Sequence, residues 1–258
     1  MIEPQLSFEN AVLKVEWADQ HIEKLKARCD SFIQENAELA LTKSQDHEGD
    51  RYTFESAQQV PVEISLMLGD VIRNLRGALD YCWTGLARVH DPAIKIKETL
   101  PFNNNKKAVV NAALATPVGK AFPDAVMLVG DVICTHADFN NGGNRPLVIL
   151  NRLANWEKHN LLVLTTRLIR TGTIEFGDNM IIGAGIIGDV TNIVRITGFG
   201  ENGPQVKCDG KASAEIIFGK HDFIKDEPIF PLVRNLAQAA RQAVEAFIDA
   251  FPALPPKA

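Results

Sequence analysis

The side chains that could do chemistry are concentrated in residues 69–81, where arginine, asparagine, aspartate and tyrosine recur at helical spacing. Arg76 and Asp80 are four residues apart, so their guanidinium and carboxylate groups can form an ion pair on a helix. Asn74 and Tyr81 fall on the other flank of the same helix. The simplest interpretation is a structural polar network that sets the register of a buried helix, and the alternative is a polar site inside a bundle.

Lys158 and His159 form a second candidate cluster, near the predicted end of a later helix. His159 can titrate near neutral pH, so it is the natural general acid or base if the protein is an enzyme. Alternatively, both side chains bond the terminal carbonyl groups of their helix. The catalytic candidates are Arg76, Asp80 and His159. The candidate binding residues are Asn74, Arg76, Tyr81 and Lys158.

Two further motifs match chemical patterns without the context that those patterns require. Residues 183–188 match the GxGxxG pattern, but residues 189–197 are β-branched and predict a strand where dinucleotide binding needs a helix. Cys134, His136 and Asp138 occupy alternate positions, and no second cluster such as HExxH accompanies them. We therefore predict neither a metal site nor a cofactor, and we expect His136 to be a surface histidine beside a loop.

Composition is that of an ordinary soluble globular protein, with 46% hydrophobic and 23% charged residues in a chain of 258. The formal net charge of -5 gives no electrostatic footprint for duplex nucleic acid. This weakens the hypothesis of an RNA partner without excluding it. Four cysteines without a CxxC pair indicate reduced thiols in a cytoplasmic protein. Glu3, Glu9 and Glu16 interrupt any signal peptide, and no apolar run could span a membrane. The sequence identifies no partner and leaves a homo-oligomer open.

Helical periodicity dominates the N-terminal part and the C-terminal end of the chain. The helix that carries the polar stretch is predicted over about 62–89, because its apolar side chains repeat every three or four residues. That stripe consists of Leu68, Ile72, Leu75, Leu79, Cys82 and Leu86. Further helices are predicted over about 7–41, 105–115, 122–135, 147–159 and from Pro228 and Pro231 to about 251. The sequence therefore predicts a bundle of about five to seven helices.

Residues 161–220 follow a different pattern, rich in Ile, Val, Thr and Phe and interrupted by glycine. This pattern is typical of short strands joined by tight turns. The predicted strands are 173–176, 180–182, 192–197, 205–208 and 214–218, with an earlier short strand at 51–56. The predicted fold class is therefore α+β. Its predicted divisions are a helical bundle over 1–160, an antiparallel β section over 161–225, a returning C-terminal helix over 226–252 and a tail over 253–258.

Several of these motifs together resemble a family of uncharacterised bacterial and phage proteins. Its members carry a His-Asn-Leu-Arg-Ser-Ala-Leu-Asp-His run, a Phe-Pro-Ile step and a later Asp-Lys-His-Arg tetrad. The likeness covers residues 62–160, about half of the chain. The matching residues here are Gly69-Asp70, Asn74-Leu75-Arg76, Ala78-Leu79-Asp80, Leu100-Pro101-Phe102, Leu153 and Glu157-Lys158-His159. The family carries no established activity that could be transferred.

The same run also resembles the arginine-to-histidine motif of HEPN-type helical domains, many of which are ribonucleases. The resemblance implies that an arginine and a histidine act on a scissile phosphate, and Arg152 and His159 have the required kind of spacing. The chain departs from the uncharacterised family where Arg73, Tyr81 and Glu157 replace its first histidine, second histidine and later aspartate. Tyr81 argues against metal-independent RNA cleavage, because tyrosine is a poor base near neutral pH.

Two functions follow from the sequence. The first is a non-catalytic binding or structural protein whose polar motif holds helix 62–89 against the segment that ends at His159. The alternative is a HEPN-like RNA-directed ribonuclease, or an inactive relative, that uses Arg76, Asp80, Lys158 and His159. Whether the protein is an enzyme is left open by the sequence.

Overall fold

The computed structural model describes the chain in segments, with side chains in part of them. Backbone is described for residues 8–35, 39–46, 49–56, 59–91, 99–162, 164–170, 174–176, 180–182, 192–196, 206–208, 213–219, 223–224 and 227–252. Side chains are described for residues 8–35, 59–91, 99–162, 164, 215–219, 223–224 and 227–252.

The chain divides into two compact units. The first unit comprises Met1–Lys24, Leu66–Leu162 and Phe230–Ala258, and the second comprises Leu25–Ser65 and Val163–Ile229. The domain boundaries proposed at residues 160 and 225 stay predictions of the sequence. No helix in the described segments is both long and apolar enough to cross a membrane.

Seven α-helices are present in the described chain. They are α1 (Glu9–Glu35), α2 (Val62–His90), α3 (Lys106–Ala115), α4 (Pro117–Ala121), α5 (Pro123–Met127), α6 (Arg145–Glu157) and α7 (Ile229–Ala250). The helix expected over 7–41 ends at Glu35, and the chain is extended from Leu39. The helix expected over 62–89 is confirmed as α2, and all six residues of its predicted apolar stripe are fully buried.

Helix α2 forms the centre of the first unit, and the beginning of α1 and the later helices pack around it. Lys14 of α1 donates a hydrogen bond to Asn74 of α2, with 2.8 Å between Nζ and Oδ1. Phe8, just before α1, lies against Phe247 of α7, with 6.1 Å between the ring centroids. The apolar side chains of α2 and of the described parts of α1 and α7 in this unit are largely buried, and such burial is the main source of helix stability in proteins.

Side-chain caps determine where the helices around the polar stretch begin. The side chain of Asn105 accepts a hydrogen bond from the backbone of Ala108 at the start of α3. Asn144 does the same for Leu147 at the start of α6, where Pro146 occupies the first turn.

A π-helical turn, Leu128–Val132, follows α5 directly. The backbone N–H of Ile133 donates to the carbonyl of Leu128, five residues earlier, at 2.8 Å. After this turn Thr135 is fully buried, and its hydroxyl donates to the carbonyl of Pro101 at 2.7 Å. Asn103 and His136 form a parallel bridge next to that bond. The π-turn therefore leads into contacts that hold residues 101–103 in place.

The strands of the described backbone all belong to the second unit. They are β1 (Leu39–Asp46), β2 (Gly49–Ser56), β3 (Leu164–Arg170), β4 (Ile174–Phe176), β5 (Met180–Ile182), β6 (Asn192–Ile196), β7 (Val206–Cys208) and β8 (Ser213–Phe218). All pairings are antiparallel, in three separate groups ordered β1-β2-β6, β3-β8 and β5-β4-β7. For example, Tyr52 of β2 lies opposite Lys43 of β1 and Val194 of β6.

The predicted α+β fold class, with one β-rich antiparallel section over 161–225, is wrong. Where side chains are described, the protein is 75% helical and 5% strand, with one lone strand and no sheet. The strands of the backbone alone do not form the expected section either, because β6 pairs with β2, which lies outside 161–225. The physical reason is that β-branched residues favour a pleated, half-buried surface and do not by themselves specify one sheet. The described body of the protein is mostly helical.

Candidate functional site

A cleft of about 460 Å³ lies within the first unit, between α2, residues 99–102 and α6. Its lining side chains from α2 are Arg73, Arg76, Gly77 and Asp80. Its lining side chains from α6 and the residue that follows it are Asn151, Ala154, Asn155 and Lys158. This volume is within the range of small-molecule sites, about 300–1,000 Å³.

Arg76 holds the three walls of the cleft together. Its Nε donates to Asn151 Oδ1 of α6 at 3.2 Å, and its Nη2 donates to the carbonyl of Leu100 at 3.1 Å. Its Nη1 donates to Asp80 Oδ1 on α2. The guanidinium also lies over the ring of Phe102, 4.9 Å from the centroid. With 11% of its side chain exposed, Arg76 is therefore fixed by partners on every wall.

Asp80 completes this network from α2. Its Oδ1 accepts from Arg76 and from the backbone N–H of Leu100, which is 2.9 Å away. Burial raises the pKa of Asp80 above its ordinary value, while Arg76, the N–H of Leu100 and Lys158 act in the opposite direction. Burial likewise lowers the pKa of Arg76, against the effect of Asp80. Both shifts have the same cause, since both charges are taken out of water.

A second ion pair links the two helices near the rim of the cleft. Arg73 Nη2 lies 3.1 Å from Asp70 Oδ1 and 3.2 Å from Glu157 Oε1. The Glu157 side chain is only 10% exposed and lies directly against Gly69 of α2. A Cβ atom at Gly69 would be 2.8 Å from Glu157 Oε1, so the missing side chain makes room for this carboxylate.

The structure brings together three of the sequence-predicted site residues. Arg76, Asp80 and Lys158 all line the cleft. His159 is exposed one residue further along, where its backbone N–H donates to the carbonyl of Trp156, and it is not among the residues that line the cleft. The three catalytic candidates are thus not assembled around one described cavity.

The other two predicted binding residues lie away from the cleft lining. Asn74 accepts from Lys14 and donates from Nδ2 to the carbonyl of Asp70 at 2.8 Å, so it links α1 to α2. Tyr81 is an exposed side chain of α2. The bonds of Asn74 give it a structural role on that flank of the helix.

Sequence reasoning missed the contribution of α6 to the site. Asn151 and Asn155 line the cleft together with Lys158, and these three residues are spaced by four and three. That spacing places them on one helical face, and it could have identified them from the sequence. Phe102 entered the sequence argument only through the family resemblance, and its ring contact with Arg76 was not foreseen.

The motif at Cys134, His136 and Asp138 is placed differently from the prediction. His136 is 1% exposed, so the expectation of a surface histidine is wrong. The reason is the bridge to Asn103, which draws the histidine inward. Cys134 has a φ of 55°, and it is followed by buried Thr135. Among the residues that the structure describes, no three His, Cys, Asp or Glu side chains are grouped closely enough to hold a metal ion.

Comparison with known proteins adds no relative to this description. No family model matches the chain, and neither curated proteins nor solved structures give a significant match. The resemblances to the uncharacterised bacterial and phage family and to HEPN-type domains therefore stay predictions of the sequence.

Proposed function

We propose that the protein is a non-catalytic binding protein whose ligand site is the cleft between α2, residues 99–102 and α6. The observation that carries this proposal is the bonding of Arg76 to all three walls. A cleft that is held open by a buried side chain is preformed, so a ligand loses less binding free energy to ordering of the protein.

The bonding of the candidate catalytic residues favours binding over catalysis. Arg76 donates hydrogen bonds to Asp80 and to the carbonyl of Leu100, and Asp80 accepts one from the N–H of Leu100. Both side chains therefore brace the walls of the cleft. A general acid or base must instead reach a substrate atom within about 2.6–3.2 Å. His159, the titratable candidate, lies outside the cleft lining.

The ribonuclease alternative would require Arg76 and His159 to act on one phosphate. The three hydrogen bonds and the ring contact of Arg76 are directed to the protein itself. This arrangement supports a binding protein more than an enzyme.

Gly77 provides a direct test, because it lines the cleft and has open space beside it. No heavy atom lies within 4 Å of a Cβ built at this position. The Cβ of a larger residue therefore has room at this position. The leucine side chain of Gly77→Leu should occupy part of the cleft, and Gly77→Ala is the matched control. Full-length wild type and both variants are dialysed against a mixture of small metabolites, and retained compounds are identified by mass spectrometry.

We expect at least one compound to be retained by the wild type and by Gly77→Ala and to be lost from Gly77→Leu. Retention of nothing by the wild type, or equal retention by Gly77→Leu, would contradict a ligand site in this cleft. RNA cleavage by the wild type that His159→Ala abolishes would support the ribonuclease alternative instead.

A further inference from the structure

The face that α6 presents to the cleft is a row of three polar residues. Asn151, Asn155 and Lys158 follow one another at intervals of four and three residues, and all three line the cleft. Their side chains therefore stand one above the other along one wall.

Hydrogen bonds determine which end of each amide group is available to a ligand. Asn151 Oδ1 accepts from Nε of Arg76 at 3.2 Å, and Asn155 Oδ1 accepts from Nζ of Lys158 at 3.1 Å. Neither amide can turn around, because its N–H groups would then face a cation. Within the described residues the Nδ2 groups of both asparagines make no hydrogen bond, so both are available as donors.

Lys158 adds a positive charge to this row of donors. Arg73 and Arg76 each have a carboxylate partner, whereas Lys158 forms no ion pair with any carboxylate of the described segments. The charge of Lys158 acts on Asp80, but that carboxylate is already bonded to Arg76 and to the N–H of Leu100. The ammonium group uses one of its three N–H donors on Asn155 and keeps two for a ligand.

We propose, on the basis of the binding function proposed above, that the ligand of the cleft carries an oxyanion, which is either a carboxylate or a phosphate group. Its oxygens accept hydrogen bonds from Asn151 Nδ2, Asn155 Nδ2 and Lys158 Nζ. Hydrogen bonds from a cation to an oxyanion are about twice as strong as neutral ones, so Lys158 provides the largest share of the recognition. The ligand is a small molecule, because a cleft of about 460 Å³ accommodates one.

Isothermal titration of the full-length protein tests this inference with two simple probes, inorganic phosphate and acetate, in separate experiments. The variant Asn155→Asp keeps the shape of the side chain and replaces its N–H donors with a repelling carboxylate oxygen. Lys158→Ala removes the charge, and Lys158→Arg restores it. Lys107→Ala, at an exposed lysine of α3, is the matched control for the loss of one positive charge.

At least one probe is expected to bind the wild type, and the tighter of the two identifies the chemical source of the oxyanion. Asn155→Asp and Lys158→Ala should each weaken that affinity about tenfold or more. Lys158→Arg and Lys107→Ala should bind as the wild type does.

Three outcomes would overturn the inference. If neither anion binds while dialysis still finds a compound that Gly77→Leu loses, the oxyanion is wrong and the binding function stands. If anion binding is unchanged in both Asn155→Asp and Lys158→Ala, the α6 row is not the site. If a single-stranded RNA oligonucleotide, titrated in a third experiment, binds while phosphate and acetate do not, the ligand is not a small molecule.

Discussion

Replacement of Arg76 by methionine should destabilise the first unit by about 3 kcal/mol. The substitution keeps an unbranched apolar stem and removes the guanidinium, which leaves Asn151 Oδ1 and the carbonyl of Leu100 without their donor. Breaking a buried ion pair by removing one partner costs about 3–5 kcal/mol. We expect the low end of that range, because Asp80 remains 28% exposed and still accepts from the N–H of Leu100.

Arg241→Met, on α7 of the same unit, is the matched control. Arg241 and its partner Asp19 are 46% and 42% exposed, so their ion pair is screened by solvent and its loss should cost less than about 1 kcal/mol. In the double variant Arg76→Met/Asp80→Leu, the loss should be smaller than the sum of the two single losses, because no uncompensated charge remains buried.

Urea unfolding followed by tryptophan fluorescence measures these differences in the stability of the first unit. All three tryptophans, Trp17, Trp83 and Trp156, belong to the first unit. The free energy of unfolding of each variant is compared with that of the wild type under identical conditions. If Arg76→Met costs no more than Arg241→Met, Arg76 does not brace the cleft, and the argument for a preformed site fails with it.

Four further outcomes can be measured on the wild type and on single variants. Gly77→Ala should raise the free energy of unfolding by about 1 kcal/mol, because alanine is the better helix former and its Cβ meets nothing within 4 Å. Gly69→Ala should gain little or lose stability in the same urea assay, since its Cβ would displace Glu157; equal gains in both variants would contradict this account. Iodoacetamide at pH 8, mapped by mass spectrometry, should label half-buried Cys134 in the folded protein and Cys29 only after unfolding, because burial raises the pKa of Cys29 to about 12. Between pH 9 and 12 the unfolded thiol of Cys29 ionises and the folded one does not. This one thiol should therefore lower the free energy of unfolding by about 1.4 kcal/mol per pH unit. The fall measured by circular dichroism, which also reports the second unit that contains Cys29, should be smaller by that amount in Cys29→Ala.

The sequence was informative wherever one local interaction decides the structure. The predicted helix over 62–89 corresponds to Val62–His90, because its apolar side chains repeat every three or four residues. Proline at position 92, two residues beyond the helix, cannot continue a helix, so this boundary too is set locally. The ion pair of Arg76 and Asp80 was also foreseen, since their spacing places them on one helical flank. Local geometry thus predicted half of the bracing network.

The other half depends on contacts between residues that are distant in the sequence. Arg76 and Asn151 are 75 residues apart, and no pattern in either helix specifies that they meet. Lys158 and His159 form one candidate cluster in the sequence. Neighbouring residues near a helix end point about 100° apart, so adjacency in the sequence does not bring both side chains to one cavity. Lys158 lines the cleft, and His159 does not.

The fold class was predicted incorrectly because composition was given too much weight in the C-terminal half. Residues 161–220 are rich in β-branched residues, and strand pairing between distant segments cannot be inferred from such enrichment. The pairing of β2 with β6 joins segments that are about 140 residues apart, estimated from the strand register, and a local pattern cannot encode it.

The π-helical turn at Leu128–Val132 makes the position of Thr135 tolerant of a change in chain length. Such a turn contains one residue more than an α-helical turn, so deletion of a single residue there would leave an ordinary α-helical turn. Because the turn itself absorbs the missing residue, Thr135 would still face the carbonyl of Pro101 at the wall of the cleft. The same deletion inside α6 would instead rotate every later helical residue by about 100°, and Lys158 would turn away from the cleft.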